Sequence, residues 1–385
     1  MQATLPFEPP TADARRAGFD GTAFEIGWDH AHYRLALPAE HVQPGHPLLQ
    51  GWQAGLALFG PRTLQATPYV RKWLQLRLNA WLRGRAFDAT AVTPAFLHRI
   101  DVAHCPITRE PLTHASGSLS DASVDRVCNA AGYAAGNLAV MSTRANHAKS
   151  AYGWDDAMGF VRQIEAGRLG QIDGLGAEQW ARLAVLMSYT TPLAHAQAAT
   201  LPLLVLPPPR LRLLNPVQAL QAMLTLQFAR DGYTPRIAAL VALLPEAEAR
   251  DELRSFMHTL LARRIACGRL DDRAALRRAL EDLWRDPLVL RRWQRLALRL
   301  DAAACERIVQ SAERRGLLGG ALRWLPLEAA TEGWALASGG YVDAVRPERR
   351  RTFTPAPSPA GGRGVESRRV ADRATLVACE AAPAL

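Results

Sequence analysis

Hydrophobic residues recur at helical spacing through most of this chain. Leu48, Trp52, Leu56 and Phe59 fall three or four residues apart, and with Val70, Trp73, Leu74, Leu76 and Trp81 they predict helical structure between 44 and 85. Helical periods resume near Trp154 and dominate 217–316, where Leu276, Leu280 and Trp284 mark one stripe and Leu290, Trp293 and Leu300 the next. Four or more helices are expected there. Two stretches depart from this pattern. In 21–50, a short alternation at Tyr33, Leu35 and Leu37 predicts a strand or two, which would put His30 and His32 on one strand face. In 100–150 the helical period disappears and Gly, Ser, Asn and Asp rise.

A Pro-rich break at 202–216 separates a third region. The uncharged run 183–209 approaches membrane-span length. It also holds Ser188, Thr190, Thr191, His195, Gln197 and a triple proline at 207–209, which predicts a buried helix followed by an extended segment. No membrane association is expected. The run 316–320 (GLLGG) reads as a helix end. The organisation expected is therefore a loosely ordered 1–20, a helical region over 21–99, a distinct element over 100–152, a helical region over 153–340, and a disordered Arg/Pro/Gly tail over 341–385.

Composition narrows the function classes. With 385 residues, 49% hydrophobic and 21% charged, the chain can fill two or three domain cores, which excludes a mainly disordered or collagen-like protein. The formal charge of +10 makes a polyanion the first partner to consider. Of the 46 basic residues only Lys72 and Lys149 are lysine, a bias that GC-rich coding also produces. Arg71, Lys72, Arg77, Arg83 and Arg85 interleave with aromatics, a pattern of either a solvated helix face or a nucleic-acid backbone contact. Five scattered cysteines with no CxxC pair give neither a disulfide framework nor a zinc ribbon. With no signal-peptide pattern at the N-terminus, a cytoplasmic location is expected.

The chemistry concentrates in 105–150 (CPITREPLTHASGSLSDASVDRVCNAAGYAAGNLAVMSTRANHAKS). Residues 123–127 predict a short strand with Asp125 and Arg126 on opposite faces. Gly132-Tyr133 and Gly136-Asn137 flank a tight loop, 138–141 alternate as the returning strand, and Ser142 is an N-cap for a helix through Arg144, Asn146, His147 and Lys149. Strand and helix ends brought together present an Asp and an Asn to one divalent cation.

In this order and spacing the segment resembles the HNH, or ββα-metal (His-Me finger), nuclease family, and most closely its phage and mobile-element branch. The matching residues are Ser123, Asp125-Arg126, Gly132-Tyr133, Gly136-Asn137, Ser142, Ala145-Asn146 and Lys149, preceded by a hairpin at Cys105-Pro106-Ile107-Thr108. The resemblance implies a mainly α fold with a small α+β element, in which helical flanking domains surround an embedded ββα-metal finger. It implies a metal-dependent endonuclease acting on phosphodiester bonds, with double-stranded DNA as the expected nucleic acid. Asp125 and Asn146 would hold one Mg²⁺ or Mn²⁺, Asn137 would pin the loop, and Arg144 and Lys149 would contact the nucleic-acid backbone.

Two departures qualify this. Arg126 stands where the strict motif has a catalytic His, and a guanidinium that stays protonated stabilises charge but does not take a proton. A base would come from His98, His104, His114 or His147, with His114 and His147 best placed. Thr108, Ser142 and Ala145 occupy positions where some relatives carry zinc-binding cysteines, so no structural zinc is expected. The alternative function is a catalytically inactive finger that grips nucleic acid as a binding or scaffold component of a phage, prophage or defence system.

Overall fold

The computed structural model describes residues 12–318 and 322–343; the expected tail lies outside them from 344 onward, as do residues 1–11. The fold is mostly helical, with a small two-stranded antiparallel sheet. The N-terminal helices are α1 (Ala12–His32), α2 (Pro47–Phe59), α3 (Pro68–Leu82) and α4 (Pro94–Ile100). Pro opens each of α2, α3 and α4, and His46, Thr67 and Thr93 cap them through side-chain acceptors.

No strand forms near Tyr33–Leu37, and the start of the chain is helical from Ala12. The reason is tertiary. Helices α1 and α2 pack so closely that a Cβ on Gly27 would lie 1.9 Å from the Leu48 carbonyl oxygen, and one on Gly51 would lie 1.9 Å from that of Phe24. That approach buries Ala23, Ile26, Leu48 and Leu49, an apolar gain that favours helix up to His32 and leaves 33–38 as a turn and irregular link with no strand partner among the described residues. His30 is correspondingly a buried helix residue with Nδ1 2.8 Å from the Ile26 carbonyl, and His32 stacks on Phe59. They share no metal site.

The middle of the chain holds β1 (Ala122–Arg126), β2 (Leu138–Ser142) and α5 (Thr143–Lys149). The strands pair antiparallel with Ser123 opposite Met141, Val124 opposite Val140, Asp125 opposite Ala139 and Arg126 opposite Leu138. All of β2 is buried, and its alternate residues enter two different cores. Leu138 and Val140 join Leu76, Ala80, Phe96, Leu97 and Ile100 of α3 and α4. Ala139 and Met141 join the large cluster that continues through the rest of the chain. The hairpin is thus a wedge whose two faces seal two helical layers, and cross-strand pairing fixes which β1 residues look each way.

Beyond it come α6 (Trp154–Glu165), α7 (Ala177–Ser188), α8 (His195–Thr200), β3 (Arg212–Leu213), α9 (Pro216–Leu226), α10 (Tyr233–Val241), α11 (Ala247–Ala266), α12 (Arg273–Asp282), α13 (Pro287–Arg299), α14 (Ala302–Arg314), β4 (Arg323–Trp324) and α15 (Leu327–Thr331). The Pro-rich segment does not divide this region. Leu203, Val205, Leu206 and Leu211 are buried in the same cluster that runs from Cys105 to Trp324. Trp180, Trp284 and Trp293 are fully buried there, and each indole N–H finds an acceptor, respectively Ile172 O, Thr225 Oγ1 and Ala199 O. Among the described residues no helix is long and apolar enough to cross a membrane.

Candidate functional site

The ββα unit closes through short-range chemistry. Ser142 ends β2 and caps α5, its Oγ accepting from Ala145 N at 3.3 Å. Cys105 Sγ accepts from the backbone N–H groups of Thr108 at 3.4 Å and Ser142 at 3.2 Å, tying the upstream hairpin to the strand end. Ala145 is fully buried in the core, so apolar packing holds this corner. Asn137 is fully buried in the loop between the strands. Its Oδ1 accepts from Cys128 N at 2.8 Å, and its Nδ2 donates to the carbonyls of Cys128 at 3.1 Å and Gly132 at 2.9 Å. One carboxamide satisfies three backbone groups that the tight loop leaves without ladder partners.

The register sends Ser123 and Asp125 to the face that α5 covers. Asn146 donates through Nδ2 to Ser123 Oγ at 2.7 Å. One turn on, Lys149 reaches Asp125: Nζ stands 2.9 Å from Oδ2, and the lysine is 0% exposed. The same ammonium donates to Arg126 O at 2.9 Å and to Asn129 Oδ1 at 2.9 Å. Two hydrogen bonds and one ion pair thus surround the ammonium. Asn129 is held in turn, its Nδ2 donating to Tyr152 O at 3.1 Å. Asp125 Oδ2 accepts no hydrogen bond of good geometry among the described residues, so its compensation is the ammonium charge itself.

This arrangement bears on two expectations. Lys149 does not reach out to a nucleic-acid backbone, because its charge is enclosed and fully partnered. Nor do the residues at Asp125 fit a divalent cation. A Mg²⁺ or Mn²⁺ there would share the carboxylate with an ammonium 2.9 Å from Oδ2, a like-charge contact in a poorly solvated place. Among the described residues no group of three or more His, Cys, Asp or Glu is assembled for a metal. Asn146 faces β1 beside this pair but is engaged with Ser123.

The remaining site residues lie apart. His147 on α5 is exposed, and so is His114 in the loop before β1; no hydrogen bond links either to Asp125 or Asn146. That loop curls instead on Asp121, whose carboxylate accepts from Ser116 Oγ at 2.6 Å, Thr113 Oγ1 at 2.7 Å and Gly117 N at 2.7 Å. These bonds, the Ser116 hydroxyl first, hold the Asp121 carboxyl well below the usual carboxylate range. Arg144 is half-exposed, 3.6 Å from Glu110. Its guanidinium remains accessible to an outside anion.

Arg126 takes the other face of β1. Its Nη1 donates to Ala131 O at 2.8 Å and Asn129 O at 3.2 Å, and its guanidinium lies 5.3 Å from the centre of the Tyr133 ring. It is therefore a clamp on the loop and not a neighbour of the Asp125 carboxylate across the strand. Arg77, one of the basic residues interleaved with aromatics on α3, is also turned inward, paired with Asp29 and Glu25 of α1. Sequence reasoning missed Asn129 and gave the matching residue Ser123 no role; the two complete the polar layer under α5. The four-residue step from Asp125 to Asn129 was the available signal, since it brings the loop back beside the strand end.

Compared with known proteins, the chain matches no family model, no curated sequence and no solved structure.

Proposed function

We propose that this chain is a nucleic-acid-binding protein built around an HNH-like ββα finger in which a lysine has taken the place of the catalytic cation. The observation that carries this is the buried Lys149 ammonium, 2.9 Å from Asp125 Oδ2. The carboxylate expected to hold Mg²⁺ already has its positive partner, supplied by the helix that the family uses for its second metal ligand. Nucleic acid is the partner because the chain carries a formal charge of +10 and the finger presents guanidiniums at Arg126 and Arg144. Arg126 and the exposed His114 and His147 have no geometry with Asp125 that would activate water. A finger of this kind holds a phosphodiester strand without cutting it.

The endonuclease reading is favoured by one observation, the family's order of elements with Asn146 of α5 bonded to Ser123, two residues from Asp125 on the same face of β1. It requires Lys149 to leave the carboxylate. Gel-shift and plasmid-nicking assays with Mg²⁺, Mn²⁺ or EDTA separate the two. Binding at low salt with no nicking under any metal is the expected result. Metal-dependent nicking that Asp125→Ala abolishes would reinstate the nuclease.

A further inference from the structure

We propose that Arg85 and Arg126 together form a phosphate site on the face of β1 opposite Asp125, with a phosphodiester of the bound strand between their guanidiniums. This deepens the nucleic-acid reading above and rests on it. The site is assembled by backbone pairing. The extended segment 84–88 is flanked on one side by 340–342, through Ala86 N to Gly340 O at 2.7 Å and Val342 N to Gly84 O at 2.7 Å. On its other side is Tyr133, through Tyr133 N to Ala86 O at 2.8 Å and Asp88 N to Tyr133 O at 2.9 Å. Arg85 therefore stands opposite Tyr341, and Phe87 stands beside Tyr133.

Each guanidinium is held by one nitrogen and by an aromatic ring. Arg85 donates from Nη1 to Gly339 O at 3.1 Å and lies 3.5 Å over the Tyr341 ring. Arg126 donates from Nη1 to the two loop carbonyls and lies 5.3 Å over Tyr133, which stacks with Phe87 at 5.9 Å. Among the described residues, the Nε and Nη2 edge of both side chains makes no hydrogen bond. That edge carries the parallel N–H pair that matches two oxygens of a phosphate.

Among the described residues neither guanidinium of the pair has a counter-ion, as is also true of the half-buried Arg236 and Arg250, which end on carbonyls and on Gln227. Arg77, Arg109, Arg182 and Arg277, also wholly or partly buried, each have a carboxylate. Arg85 and Arg126 have none among the described residues. Burial and then the Arg126 charge push the Arg85 guanidinium below its ordinary value, so the two cations repel each other. Two preoriented, partly desolvated cations, each with a free donor edge and no carboxylate among the described residues, await an external anion. A phosphodiester presents two charged oxygens that a guanidinium edge takes together.

The test is fluorescence anisotropy with labelled duplex and single-stranded oligonucleotides across a salt series, on the full chain and on Arg85→Gln and Arg126→Gln. Each variant is expected to weaken binding by about tenfold and to lower the slope of log K against log salt by about 0.7–0.9. Arg126→Gln also loses the loop clamp, so Arg85→Gln decides if that variant melts early. Wild-type binding with unchanged affinity and slope in a folded Arg85→Gln would overturn the phosphate site and leave the nucleic-acid reading standing. If wild type binds no oligonucleotide even at low salt, the nucleic-acid reading falls. Inorganic phosphate then decides the site: a thermal shift that Arg85→Gln removes would retain it for free phosphate or a nucleotide, and no shift would overturn it.

Discussion

The two faces of β1 carry adjacent charges with opposite fates. On one side Asp125 meets a lysine that is itself enclosed, so that the charge is cancelled within the fold. On the other, Arg126 meets carbonyls and a ring, which orient a guanidinium without neutralising it. The alternation of a strand separates residues one apart by the whole thickness of the sheet. A two-residue motif that looks like one catalytic unit in sequence is thus divided between an internal ion pair and an outward-acting cation. Internal charge builds the ββα unit; uncompensated charge is what the proposed partner would meet.

Breaking the internal side has the largest expected effect. Lys149→Met removes one member of a buried pair and strips donors from Arg126 O and Asn129 Oδ1, a loss of about 3–5 kcal/mol. Urea denaturation measures it. Adding Asp125→Leu to that variant should recover part of the loss, because an apolar side chain no longer needs a charge partner. A Lys149→Met protein as stable as wild type would show that the ion pair does not hold the finger.

Asn137→Ala comes next. It leaves Cys128 N and two carbonyls without partners inside the loop on which both faces depend. A loss of about 2–3 kcal/mol is expected by the same measurement, and oligonucleotide binding should weaken with it because Arg126 clamps that loop.

Arg144→Gln is the smallest. Its exposed pair with Glu110 at 3.6 Å contributes within about 0.5 kcal/mol. Stability should stay level while binding to oligonucleotide falls, which separates outward charge from structural charge on a single helix.

How much of this was legible in the sequence follows from the range of each interaction. The strands, the loop and the Ser142 cap were readable because turn glycines, alternation and capping act over a few residues. The loop-pinning role of Asn137 came from the family resemblance, and its bonds to Cys128 and Gly132 have that form. Lys149 was not legible: lysine is among the residues least often buried, and its enclosure depends on Asp125 and on Asn129, 20 residues away. The helix at 12–32 was missed because its stability comes from the close approach to α2 at Gly27 and Gly51, which no local alternation records. The Pro-rich 202–216 looked like a boundary because prolines interrupt helices. Its leucines and valine are nonetheless core residues, packed against helices far along the chain.

The most direct test of the central claim is Mn²⁺ binding to the intact protein and to Asp125→Asn, followed by the paramagnetic signal of the bound ion and by thermal shift against EDTA. If the Lys149 ammonium is the finger's cation, wild type should show no Mn²⁺ held at Asp125 and the same melting temperature in metal and in EDTA. A stabilising Mn²⁺ site that Asp125→Asn removes would contradict it, and would mean that the lysine yields its place to a metal.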